Sequence, residues 1–357
     1  MPLRKTATLD NVGYRWVPLL LVLLLGGCSY YRQLALGQLD LLARREPIAH
    51  ILADPARDPQ LRARLAGALE ARRFASEALG LPDNDSYRLY VELDRPYVVW
   101  NLFATEAFSV EPLMHCFPIA GCVAYRGYYR QGDARGAAAL LSLQGKDTFV
   151  AGVDAYSTLG WFDDPLPSSL LRHDDERLAA LIFHELAHQR LYLPGDTAFN
   201  ESYASFVERE GLRQWCAQRG LPAVSTEREQ RYRRFVELVL ETRERLRTLY
   251  ASALPDEVMA RRKQAEFDRL RANYRALRDG AWQGDGRFDG WFARPLNNAS
   301  LVPFGLYDQW VPAFEALFEA VGGDWARFHA EVAALAKRPA DERAARLTAG
   351  LEAAAQR

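Results

Sequence analysis

The sequence predicts an α+β protein that is mostly helical, with a small β-sheet and a long antiparallel helical hairpin. Three observations lead there. Long stretches carry apolar residues at helical spacing, most clearly Tyr232, Phe235, Val236, Val239, Leu246 and Leu249 within 226–250. Few β-branched or aromatic runs interrupt them, the best being Tyr97–Phe103 and Thr148–Val153. Pro255 separates the 226–250 stretch from a second charged one, which has Phe267, Leu270, Tyr274 and Leu277 on one side. The two read as a hairpin over 226–277. The 357 residues suffice for one large or two modest domains, and 49% hydrophobic with 25% charged residues is an ordinary globular balance. The formal charge is −1 and no basic stripe with interleaved aromatics stands out, so no nucleic-acid partner is expected.

In chain order, the N-terminus comes first. Arg4, Lys5 and Arg15 precede the apolar run Val17–Leu25, which is too short to span a bilayer and suits the core of an export signal. It ends in Leu25-Gly26-Gly27-Cys28-Ser29. Small residues before a cysteine at this place resemble a bacterial lipoprotein signal. The resemblance implies that residues 1–27 are a signal peptide and that Cys28 is acylated as an N-terminal lipid anchor to a membrane. Ser29 resembles the sorting position of lipoproteins sent to the outer membrane, so the expected address is the bacterial cell envelope, lipid-anchored and facing the periplasm. An ordinary signal peptide or a short anchor helix is the alternative.

A helix is expected from Tyr30 to about Pro47, and another from Pro59 to Leu79 with Gly80 as its stop. Leu81–Ser86 is a turn-rich connector, and the Tyr97–Phe103 strand follows. Cys116 and Cys122 flank a Pro- and Gly-containing turn, and in an exported chain they are expected to form a disulfide, with two buried thiols as the alternative. Cys122–Tyr125 reads as a short strand, Gly127–Leu143 as a helix and Thr148–Val153 as a strand. A helix then begins near His173, capped by Asp174 or Asp175, and ends before Pro194-Gly195. Its successor starts at Thr197 or Ala198 and runs to about Arg219. After the hairpin, 284–290 is a loop, Trp291–Tyr307 is irregular, Val311–Ala320 and Asp324–Lys337 are helices, and the end is a polar Ala/Arg-rich tail. With no repeat or linker in view, 28–357 reads as one domain.

The chemistry concentrates in His184-Glu185-Leu186-Ala187-His188. In a helix, residues four apart share a face, so both imidazoles reach one metal ion while Glu185 lies beside its open position. A catalytic zinc takes three protein ligands. After the Pro-Gly reversal, Glu201 follows Asn200 early in the next helix and can point back at the histidines. Glu208 is the second candidate, as ligand or as acceptor for a ligand histidine's free N–H. The set His184, His188 and Glu201 would hold Zn²⁺, and Glu185 would move the proton of an attacking water. Tyr156 and Tyr307 are candidate oxyanion donors, with packed core tyrosines as the plainer reading. Glu111, Asp163 and Asp164 are candidates to hold a substrate's α-amine, against plainer surface or capping roles.

The Asn200-Glu201 pair resembles the gluzincin metalloproteases, whose third zinc ligand is that glutamate. The segments Gly37–Leu42, Arg72–Ala75, Leu81–Asn84, Tyr97–Asn101, Ala155–Pro165, Phe183–His188 and Gly195–Ser202 together resemble the bacterial "putative aminopeptidase" family of zinc-dependent lipoproteins. That resemblance implies a gluzincin-like zinc metallopeptidase core, a peptide substrate and Zn²⁺ as cofactor. Two other readings stay open. One is a non-enzymatic envelope lipoprotein with a structural metal and a partner-binding hairpin. The other is a zinc amidase acting on cell-wall peptides.

Overall fold

The computed structural model describes residues 29–117, 121–155, 157–222, 226–307 and 309–355. The chain divides at Arg44. In the first unit the described element is helix α1 (Ser29–Ala43), whose Asp40 pairs with Arg44 at 3.5 Å. Residues 46–47, expected to continue this helix, are instead a short strand of the second unit.

The second unit, Arg45–Arg357, begins with β1 (Glu46–Pro47), α2 (Ile48–Ala53) and α3 (Pro59–Glu77). Local chemistry starts α3: Asp58 accepts from the Gln60 amide at 3.0 Å, and Pro59 occupies the first turn, where its missing N–H costs nothing. Then come β2 (Leu89–Val91), β3 (Val99–Thr105), β4 (His115–Phe117), β5 (Gly121–Val123), β6 (Tyr125–Tyr128), α4 (Gln131–Leu143), β7 (Asp147–Val153) and β8 (Leu166–Pro167). The main sheet has the order β6-β3-β7 and is antiparallel throughout, with Trp100 opposite Tyr128 and Phe103 opposite Phe149. The short strands β1, β2 and β8 make a second sheet. Cys116 faces Cys122 across the β4–β5 hairpin, and the two are joined by a disulfide. Residues 125–128, read in part as the start of a helix, form β6, because pairing with β3 decides the conformation of a stretch that local propensity leaves open.

The rest is helical: α5 (Asp175–Arg190), α6 (Thr197–Gln218), α7 (Thr226–Tyr250), α8 (Asp256–Asp279), α9 (Asp289–Phe292), α10 (Asn298–Tyr307), α11 (Val311–Ala320), α12 (Trp325–Ala336) and α13 (Ala340–Ala355). Two of these correct the sequence reading. The supposedly irregular 291–307 contains α10, which keeps Pro303 in its interior because Ala299, Leu301 and Val302 are buried on its packed face. The supposed tail is α13, seated by buried Leu347 and by an Arg343–Asp196 ion pair at 2.7 Å.

One core gathers α2, α3, α5, α6 and α11–α13, with Phe183, Phe199, Tyr203, Phe314 and Phe328 at its centre. The α7–α8 hairpin builds another from Phe235, Val239, Leu246, Phe267, Leu270 and Tyr274. Helix α10 lies between the two groups of helices and packs on the main sheet, Ala299 and Val302 meeting Phe103 and Phe149. Helices α5 and α6 approach closely because Gly211 faces Phe183; a β-carbon there would stand 3.1 Å from that ring and 2.6 Å from Leu79.

Candidate metal centre

Helix α5 opens with Asp174 accepting from the Arg177 amide at 2.7 Å, and from Leu178 to His188 every residue except Leu181 is buried. Its apolar positions pack into the main core, which fixes the face carrying His184 and His188. The chain then reverses. Asn200 clamps the reversal by accepting from the Leu193 N–H and donating to the Leu193 C=O, both at 2.8 Å. Asp196 caps α6 through the Phe199 amide at 3.0 Å and is itself held by Arg343. A second buttress comes from the disulfide-closed hairpin: Gly121 lies so close to Pro194 and Gly195 that a β-carbon on it would be 2.7 Å from the Gly195 nitrogen.

These constraints bring Glu201 to the two histidines. His184 Nε2 is 3.2 Å from His188 Nε2, and Glu201 Oε2 is 3.4 Å from the first and 3.6 Å from the second. All three residues are buried. A tetrahedral ion with bonds of about 2.0–2.1 Å has ligands about 3.3–3.4 Å apart, so the triangle matches the size that zinc requires. Two imidazoles and one carboxylate are also its ordinary donor set. Among the described residues, this triad is the group of His, Cys, Asp and Glu side chains able to hold a metal.

Glu208 is not in the triangle. Its Oε2 accepts from His184 Nδ1 at 2.9 Å, and its other oxygen pairs with Arg177. Protonating Nδ1 leaves the Nε2 lone pair of His184 free for a metal. His188 Nδ1 is buried and meets no hydrogen-bond partner among the described residues. We expect Glu208→Gln to weaken metal binding by about 10–100-fold, because a neutral amide replaces the charged acceptor that sets the tautomer and ring orientation of His184. Competition with a fluorescent chelator measures it; an unchanged affinity would remove Glu208 from the site.

Electrostatics follow the same geometry. Burial disfavours the charged form of His184, but hydrogen bonds to Glu201 and Glu208 outweigh this and push its pKa up to about 10. Burial works against Glu201 too, yet the His188 charge and hydrogen bonds to both histidines bring it down to about 2. The cluster is thus built to hold positive charge between carboxylates. Glu185 differs. It too is buried, and burial raises its pKa against the opposing pull of the two histidines. A carboxyl raised in this way is suited to exchanging protons.

Some supports lie outside what the sequence singled out. Gln189, next to His188, donates to Asp164 and to Ser86 Oγ at 3.2 Å each and accepts from Asn84 at 2.7 Å. Buried Arg72 arranges the connector that carries Asn84, donating to the carbonyls of Pro82, Asn84 and Ser86 at 2.8–2.9 Å. Asp164 also accepts from the Thr158 hydroxyl and amide at 2.7 and 2.8 Å. The Tyr192 pKa is raised by burial and by the charge of Glu201, which puts this phenol within electrostatic reach of the triad. Of the other candidates, Glu111 pairs with Arg243 and Arg247 of the hairpin at 3.1 and 2.8 Å, and exposed Asp163 offers its carbonyl to Arg45. Asp164 is fully buried in its network. Cys28 and Tyr156 lie outside the described residues; Tyr307 ends α10, and its side chain is likewise not described.

A family profile described as "Putative aminopeptidase" matches residues 29–347. The chain belongs to this family. Membership supports a peptidase-type function at a coarse level. Comparison with curated proteins and with solved structures gave no match.

Proposed function

We propose that the protein is a zinc-dependent peptidase, an aminopeptidase by preference, built on a gluzincin-like core. The observation that carries this reading is the buried triangle of His184, His188 and Glu201 at ligand spacing, with Glu185 buried on the same helix. A closed structural zinc site takes four protein ligands, and the described cluster offers three. That favours catalysis over a purely structural ion.

When bound, zinc supplies Lewis acidity and brings the pKa of water down to about 7. The protein's own part is positional and protolytic. The α5–α6 reversal fixes the three ligand atoms, and Glu208 keeps His184 in the tautomer that presents Nε2. The Glu185 carboxylate takes the proton of the attacking water and returns it to the leaving amine. A phenol, Tyr156 or Tyr307, is the proposed donor to the developing oxyanion.

We further propose that residues 1–27 are removed and that acylated Cys28 anchors the protein in the bacterial envelope, facing the periplasm from the outer membrane. Among the described residues no helix is long and apolar enough to cross a membrane. Intact mass of the membrane-extracted protein should start at Cys28 with added acyl chains; a mature chain that keeps residues 1–27 refutes this.

The test of activity is metal analysis joined to peptide hydrolysis on the purified protein. One zinc per chain and chelator-sensitive cleavage of unblocked peptides are expected. A zinc-loaded protein that cleaves no peptide sinks the proposal.

A further inference from the structure

The main sheet ends in β7, with β3 on one side and no described strand on the other. Backbone groups of a strand in an antiparallel pair point alternately toward and away from the partner. The Val153 C=O accepts from Val98 N–H, at 3.1 Å, on the β3 side. The carbonyls of Thr148, Val150 and Gly152 therefore face outward, in a row that can template an extended peptide.

This row ends where the chain leaves β7 on its way to the helix that carries the histidines. Just past β7, Asp154 pairs with His173 at 3.0 Å, two residues before α5 begins. Asp164 then reaches Gln189 beside His188. The chain leaving β7 is thus tied to both ends of the helix that carries the histidines, and Gly152 is the outward position nearest in sequence to it.

The other outward positions are occupied. Asn297 Nδ2 donates to the Thr148 C=O at 2.9 Å, and Arg294 Nη2 donates to the Val150 C=O at 2.7 Å. Arg294 also lies over the Phe149 ring, 4.3 Å from its centroid. The start of β7 is locked as well: Asp147 accepts from Lys263 of α8 at 2.6 Å and from the Asn298 amide at 2.9 Å. No described residue bonds the outward groups of Gly152.

We propose that the 294–298 segment, backed by the α7–α8 hairpin, is a stop that limits how much peptide can lie along β7. Bound chain pairs at Gly152 and runs into Arg294 after about one or two residues, given a strand rise of about 3.3 Å. The site therefore takes short peptides, or the ends of longer ones. This rests on the reading of the metal centre as a peptidase and gives the hairpin a part in substrate choice.

The test uses the full, zinc-loaded chain carrying Glu185→Gln, so that binding is read without turnover. Calorimetry with alanine-based peptides of roughly three to ten residues should show affinity that stops rising after the shortest lengths. Adding Arg294→Ala and Asn297→Ala should let affinity keep rising, by about tenfold for the longest peptides, as freed carbonyls gain partners. The single exposed change Arg294→Ala, checked by thermal melting, serves if the combined variant folds poorly. Steady growth with length while the stop is intact overturns the proposal. So does a length profile that the substitutions leave unchanged, or an absence of peptide binding. Wild-type cleavage of the same peptides separates the two ideas. The expected length profile without any hydrolysis supports the stop and rejects the peptidase, whereas efficient cleavage in the middle of ten-residue peptides rejects the stop alone.

Discussion

Glu185→Gln is expected to keep its zinc and its fold and to lose about 10²–10⁴ in kcat. The substitution preserves shape and hydrogen-bonding capacity and removes only the group that exchanges a proton. It leaves the three ligand atoms untouched, since Glu201 and the histidines meet one another without Glu185. Stability gives a second signature. Burial raises the Glu185 pKa, so its ionised form is disfavoured in the fold. A neutral glutamine should melt at the same temperature as wild type or higher. Kinetics, metal content and melting curves on one preparation decide it. Full activity in a zinc-loaded variant would remove Glu185 from the proton path. Loss of zinc along with activity would mean that Glu185 supports the metal rather than the reaction.

How much of this was legible depends on how far apart the cooperating residues stand. His184, Glu185 and His188 occupy a single turn, so helix geometry alone gathers them. Glu201 lies one reversal away, and Pro194-Gly195 announces that reversal in the sequence. Helical spacing likewise exposed the α7–α8 hairpin, because its core residues repeat over many turns. Gln189 is a different case. Its partners Asp164, Ser86 and Asn84 stand 25, 103 and 105 residues away, and side-chain hydrogen bonds across such gaps leave no periodic trace. Segments noted only as resemblances prove to share one network: Arg72 organises 82–86, Asn84 reaches Gln189, and Asp164 ties in Thr158. Strands β1, β2 and β8 are two or three residues long, too short for alternation to register. Helix α13 was hidden because what seats it, an ion pair to Asp196 at the start of α6, exists only in the folded chain.

Two buried groups should give the protein opposing responses to acid, each visible once the other is removed. Burial pushes the Asp164 carboxyl up to about 6, despite hydrogen bonds from Thr158 and Gln189. Its unfolded pKa is near 3.8, so between about pH 4 and 6 the folded chain holds more protons at this site than the unfolded chain does. Asp164 therefore makes stability fall as pH rises through that window, by about 3 kcal/mol in all. His329 behaves inversely. It is buried between the Tyr203 hydroxyl and the Leu79 carbonyl, each at 2.9 Å, and burial brings its pKa down to about 4. Between about pH 4 and 6.5 the unfolded chain holds the extra proton, so His329 makes stability rise with pH, again by about 3 kcal/mol. In wild type the two slopes nearly cancel. The variant Asp164→Asn should gain about 3 kcal/mol relative to wild type on going from pH 4 to pH 6.5, and His329→Gln should lose as much over the same interval. Denaturant unfolding of the chelator-treated proteins measures this, because titration of the metal ligands is common to all three and drops out of the differences. A variant-minus-wild-type difference that stays flat with pH would show that the group in question titrates alike in both states. A flat result for Asp164 would also mean that the network around Gln189 is open to water.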